Sequence, residues 1–130
     1  MSSAPRTRRS STSRRDVEAP IHAAIYQYIT TVAPQVICFH PANGGLRSKA
    51  EAAKLKWMGV TPGVPDLVIL DEFGMSYLIE VKPPDGNLSD DQRMFHAKCK
   101  RLQIPHAVAR SINDARDLLK RWGIATREAK

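Results

Sequence analysis

At 130 residues the chain is sized for one domain with a core of its own. Its formal net charge of +7 points to a polyanionic partner such as nucleic acid. It has no apolar run of the ~18 residues that a membrane-spanning helix needs, and its first residues lack the apolar centre of a signal peptide.

The charge is uneven. Arg6, Arg8, Arg9, Arg14 and Arg15 all precede the first acid, Asp16. The other 15 basic residues nearly balance 13 acidic ones. Residues 1–15 hold little to bury and are expected to form a disordered basic arm, which either grazes DNA or simply frays. The folded domain is expected over 16–123, with 124–130 frayed.

From residue 16 to 32 the apolar side chains Val17, Ile21, Ala24, Ile25, Tyr28, Ile29 and Val32 recur at helical spacing. Asp16 is the expected cap, and Pro20 is tolerable if it lies near the first turn. Residues 36–40 form a candidate buried strand. The loop after it holds His40, Asn43 and two glycines. His40 is either a base or a structural histidine. Asn43 and Arg47 are candidate substrate contacts.

Ser48-Lys49-Ala50-Glu51 has the pattern of a capping box, opening a helix that ends near Gly59. Arg47, Lys49, Lys54 and Lys56 make the densest basic cluster of the folded part. It is either a DNA-backbone contact or a solvated helix face beside a buried Trp57. Thr61-Pro62-Gly63-Val64-Pro65 follows as a stiff turn.

Two apolar runs, 67–70 and 77–81, flank the polar break Asp71-Glu72-Phe73-Gly74 and predict a β-hairpin. A four-residue loop would set Asp66 opposite Ile79. A five-residue loop or a bulge pairs Leu70 with Ser76 and sets Asp66 opposite Glu80. The second is expected. Glu80 and Lys82 share a face, and Val81 points into the other layer.

Paired carboxylates repel unless a cation lies between them. Asp66 and Glu80 are hard oxygen ligands that suit Mg²⁺, with Mn²⁺ as a substitute, and the Val81 carbonyl is a candidate third ligand. Lys82 is placed to orient a water or to neutralise a phosphoryl group.

After Pro83-Pro84-Asp85-Gly86, Ser89-Asp90-Asp91-Gln92 forms a second capping-box pattern. Its helix is expected to reach about Leu102, with Phe95, Cys99 and Leu102 inward. A strand over 106–109 and a helix over about 113–122 close the chain. Cys38 and Cys99 form no Cys-x-x-Cys pair and are expected as buried free thiols in a reducing, cytoplasmic setting. No motif for an organic cofactor is completed.

Pro65-Asp66 with Glu80-Val81-Lys82 resembles the PD-(D/E)XK nuclease superfamily. The blocks Asn43-Gly44-Gly45, residues 54–60, Pro62-Gly63-Val64-Pro65-Asp66-Leu67, Ile79-Glu80-Val81-Lys82 and residues 86–92 resemble the VRR-NUC family within it. The resemblance implies a restriction-endonuclease-like α/β core, in the order α-β-α-β-β-α-β-α around a mixed four-stranded sheet. It implies a metal-dependent DNA endonuclease, and by likeness to stand-alone members a homodimer acting on four-way (Holliday) junctions. It gives Glu18 a supporting role at the metal, where the residue alone reads as a carboxylate favoured by the helix dipole. It turns Gln92 towards the metal, where the residue alone reads as a capping partner. The alternative is a DNA-binding module that keeps the fold without cutting; a metal phosphoesterase of small molecules is a third candidate.

Overall fold

In the computed structural model, residues 3–42 and 48–128 are described, residues 3–16 by their backbone alone. The elements are α1 (Ser3–Val32), β1 (Ile37–Phe39), α2 (Lys49–Trp57), β2 (Leu67–Leu70), β3 (Ser76–Val81), α3 (Asp90–Arg101), β4 (His106–Ala109) and α4 (Ile112–Arg121). The four strands lie in sequence order in one sheet. β1–β2 and β2–β3 are antiparallel, and β3–β4 is parallel across the α3 crossover.

Strand alternation divides the sheet into two faces. Cys38, Leu67, Ile69, Tyr77, Ile79 and Val81 are buried in one core with Ile25, Ile29 and Val32 of α1 and Ala115, Leu118 and Leu119 of α4. Each fully buried branched aliphatic is worth roughly 1.5–3 kcal/mol over an exposed one. The opposite face carries Glu80 and meets α3 through Gln92. Towards β1 that face is open: Ile37 is 61% and Phe39 43% exposed.

The hairpin takes the expected register, with Leu70 opposite Ser76 and Leu67 opposite Ile79. Asp71 makes the five-residue turn. Its Oδ1 accepts from the N–H groups of Phe73 and Met75, both at 2.9 Å. Its Oδ2 accepts from the Tyr77 hydroxyl at 2.8 Å. Gly74 takes the left-handed φ of 81° that closes the turn.

Several expectations are corrected, the buried strand over 36–40 among them, since Ile37 and Phe39 are exposed. α1 starts at Ser3, so Asp16 lies inside the helix instead of capping it. Ser, Arg and Thr do not break a helix, and Pro5 falls in the first turn, where no intrahelical N–H is lost. Pro20 is consequently interior. It removes one backbone bond, and the burial of Ile25, Ile29 and Val32 holds the helix beyond it.

Trp57 is 85% exposed, because α2 buries none of its residues. On α3 the inward residues are His96 and Cys99, while Leu102, the C-cap, is 60% exposed. The frayed end is corrected over 124–128. Ile124 joins the core. The Arg127 N–H donates to the Val32 carbonyl at 2.7 Å. Glu128 accepts from the Tyr28 hydroxyl at 2.6 Å and from Arg116 at 2.8 Å.

Cys38 and Cys99 are free and buried, as expected, and burial pushes the Cys38 thiol up to about 11. Among the described residues no helix is long and apolar enough to cross a membrane.

Candidate functional site

The chain reaches Asp66 through a turn that only its own residues permit. Gly63 has φ 80°, and a Cβ there would lie 2.4 Å from the Asp91 carbonyl oxygen. This close approach seats the turn on the start of α3. Pro65 is fully buried and fixes the last step.

Extending the β2–β3 ladder by one residue sets Asp66 opposite Glu80. Asp66 Oδ2 accepts from the Val81 N–H at 2.8 Å. Its backbone carbonyl accepts from His40 Nδ1 at 2.6 Å. Both ends of the residue are thus held by the neighbouring strands' termini.

Glu80 is 1% exposed. Its Oε2 accepts from Gln92 Nε2 at 2.9 Å. Its Oε1 is buried with no hydrogen-bond donor. Burying a carboxylate in this way is costly unless a proton or a cation compensates. Burial first, and then the Asp66 carboxylate, push the Glu80 carboxyl far above its ordinary range; Lys82 opposes this without cancelling it.

Glu18 completes the group. Carboxylate oxygens of Glu18, Asp66 and Glu80 all lie within 4.8 Å of one another. The Glu18 carboxyl is raised by burial and by Asp66, and lowered by Lys82. Lys82 is half-buried just past β3, where its backbone N–H donates to the Ala109 carbonyl at 3.1 Å. Three carboxylates, a buried oxygen without a donor and a nearby ammonium fit a hard divalent cation.

Gln92 makes contacts in both of its candidate directions. Its Oε1 accepts from the Ser89 N–H at 2.8 Å, completing the capping box, while its Nε2 reaches Glu80. Val81 turns its side chain into the core, and its N–H is the one given to Asp66.

Of the predicted DNA contacts, Lys49, Lys54 and Lys56 are exposed on α2. Ser48 Oγ caps that helix by accepting from the Glu51 N–H at 3.1 Å. Asn43 and Arg47 lie outside the described residues.

Two residues join the site that the sequence reading left out. Arg110 Nη1 donates to the carbonyls of Pro83 and Gly86, each at 2.7 Å, and so ties down the loop that follows Lys82. His22 lies one helical turn beyond Glu18 and meets the His40 ring edge-on, with centroids 4.7 Å apart. Burial lowers the His22 pKa, as does His40, while Asp66 raises it. The Glu18–His22 spacing was the available signal; the contact with His40 exists only once α1 docks.

A mixed four-stranded sheet with an acidic cluster on its central hairpin is a nuclease-like core. Residues 23–113 match the VRR-NUC domain, and the chain belongs to that family of the PD-(D/E)XK superfamily. No curated protein matches the chain. Family membership makes this a nuclease-like, DNA-acting module.

Proposed function

We propose that this protein is a Mg²⁺-dependent endonuclease that hydrolyses DNA phosphodiesters. The observation that carries the reading is Glu80: a buried carboxylate, one oxygen held by Gln92 and the other without a donor, in a cluster where Glu18, Asp66 and Glu80 each bring a carboxylate oxygen within 4.8 Å of the others. Asp66, Glu80 and Glu18 would hold the ion, with the Val81 carbonyl as a further ligand. Bound there, Mg²⁺ supplies an acidified water and polarises the phosphate.

The chain's own groups do the rest. Gln92 fixes the rotamer of Glu80. Lys82 orients the attacking water and offsets the charge that builds on the phosphoryl oxygens. Gly63 and Pro65 hold Asp66 in place before substrate arrives, so no ordering is required at the moment of reaction.

Lys49, Lys54 and Lys56 contact the DNA backbone, and Asn43 and Arg47 are further candidate contacts by their sequence. The exposed indole of Trp57 offers a surface on which an unpaired base can stack. The arginine-rich sequence of residues 6–15 adds positive charge that favours a polyanion. Two copies meeting through the open sheet face at Ile37, Phe39 and Met75 would place two sites on one branched substrate.

The test is a panel of single-stranded, duplex, flap and four-way DNA substrates with purified protein. Internal cleavage that requires Mg²⁺ and stops with chelator supports the reading. Salt-sensitive binding with no cleavage of any substrate contradicts it and supports a binding module.

A further inference from the structure

We propose that His22, His40 and Asp66 form a second cation site, which takes a nitrogen-preferring divalent ion such as Zn²⁺ or Co²⁺ and shares the Asp66 carboxylate with the Glu18–Asp66–Glu80 cluster. One ligand atom from each of the three lies within 4.8 Å of the others. They come from separate parts of the chain: α1, the end of β1 and the start of β2.

The state of His40 is set by its partner. A carbonyl oxygen only accepts, so the 2.6 Å contact to the Asp66 carbonyl puts the proton on Nδ1. In the neutral ring Nε2 then carries the lone pair. A ring whose second nitrogen donates to a backbone carbonyl is the usual form of a metal-bound histidine. His40 is exposed and His22 half-buried, so an ion has access.

The donor sets of the two clusters differ. Glu18, Asp66 and Glu80 are all oxygen and suit Mg²⁺. Two imidazoles with one carboxylate suit a transition ion, leaving positions open for water. Asp66 can serve both, because a carboxylate has about four acceptor positions and the Val81 N–H takes one. Glu18 and His22 are one turn apart on α1, so that helix supplies one ligand to each cluster. A bound transition ion would also tie α1 to the sheet beside the nuclease cluster.

The test is binding of Co²⁺ and Zn²⁺ to the metal-free full chain, followed by visible absorption and calorimetry, in the wild type and in His22→Ala, His40→Gln and Glu80→Gln. Circular dichroism and a cooperative melt check that each variant folds. The expected result is a Co²⁺ spectrum of nitrogen ligation in the wild type and in Glu80→Gln, lost in both histidine variants, with Zn²⁺ affinity at least tenfold weaker in His22→Ala. A folded His22→Ala that binds Zn²⁺ as tightly as the wild type, or a Co²⁺ spectrum lost only with Glu80, overturns the proposal. The readout needs no DNA. A wild type that binds Co²⁺ yet never cuts would sink the nuclease reading and leave this site standing.

Discussion

Gln92 Nε2 lies 2.9 Å from Glu80 Oε2 while the same side chain's oxygen caps α3 through Ser89. One amide therefore couples the start of a helix to the most buried acid of the site. Gln92→Ala should lose both bonds. A lost cap bond costs about 1 kcal/mol, and an orphaned acceptor adds roughly 1–3 kcal/mol if Glu80 stays ionised. Urea unfolding with and without Mg²⁺ checks this, and cleavage should fall by about 10–100-fold, as for groups that orient a metal ligand. Full activity in Gln92→Ala would mean that Glu80 is held by other contacts.

The raised Glu80 carboxyl predicts an unusual dependence on pH. Its unfolded value is near 4.5, and burial beside Asp66 moves the folded value well above that. Between those values the folded state binds the extra proton. Stability of the metal-free protein should therefore be greatest in the acid part of this window and fall as pH rises, by up to about 1.4 kcal/mol per pH unit for one proton. Glu18 acts in the same direction. Glu80→Gln should flatten the slope, and saturating Mg²⁺ should abolish it, since the ion holds Glu80 ionised in the folded state as it is in the unfolded one. Thermal melts across the pH range measure all three.

Glycine substitutions separate strain from collision. Gly59 has φ 105° and open space around it, whereas Gly63 has φ 80° and the Asp91 carbonyl in the way. Gly59→Ala should cost about 1 kcal/mol from backbone conformation alone. Gly63→Ala should cost clearly more, because the turn must leave α3, and it should weaken metal binding by displacing Asp66. Equal losses in the two variants would contradict the close approach.

The docked C-terminal segment predicts that Ile124→Ala is a core mutation. Loss of a buried isoleucine side chain costs about 2–5 kcal/mol. Ala125→Ser, at an exposed neighbouring position, should cost little by comparison. Chemical denaturation of the two variants gives the contrast.

The hairpin was legible because strand side chains alternate, so only one loop length puts Asp66 and Glu80 on one face. Gln92 was legible as two alternatives, and its two ends make a contact in each direction, one to Ser89 and one to Glu80. What escaped depends on contacts distant in sequence. His22 is one of several polar residues on α1 until His40 arrives beside it. Glu128 has no visible role without Tyr28 and Arg116. His96 and Leu102 are both one turn from Cys99, and spacing alone does not say which turns inward; docking on β4 buries His96 against His106. The early start of α1 escaped because a stretch without apolar residues gives no periodicity to read.

The most direct measurement is cleavage of plasmid DNA in Mg²⁺ by the wild type beside Glu80→Gln and Lys82→Ala, with Mg²⁺ and DNA affinity measured on the same preparations. The account predicts that the wild type nicks the plasmid, that Glu80→Gln loses both Mg²⁺ affinity and cleavage, and that Lys82→Ala keeps the ion and the DNA but cuts at least a hundredfold more slowly. Equal cleavage by all three proteins, or none by the folded wild type with Mg²⁺ bound, would contradict it.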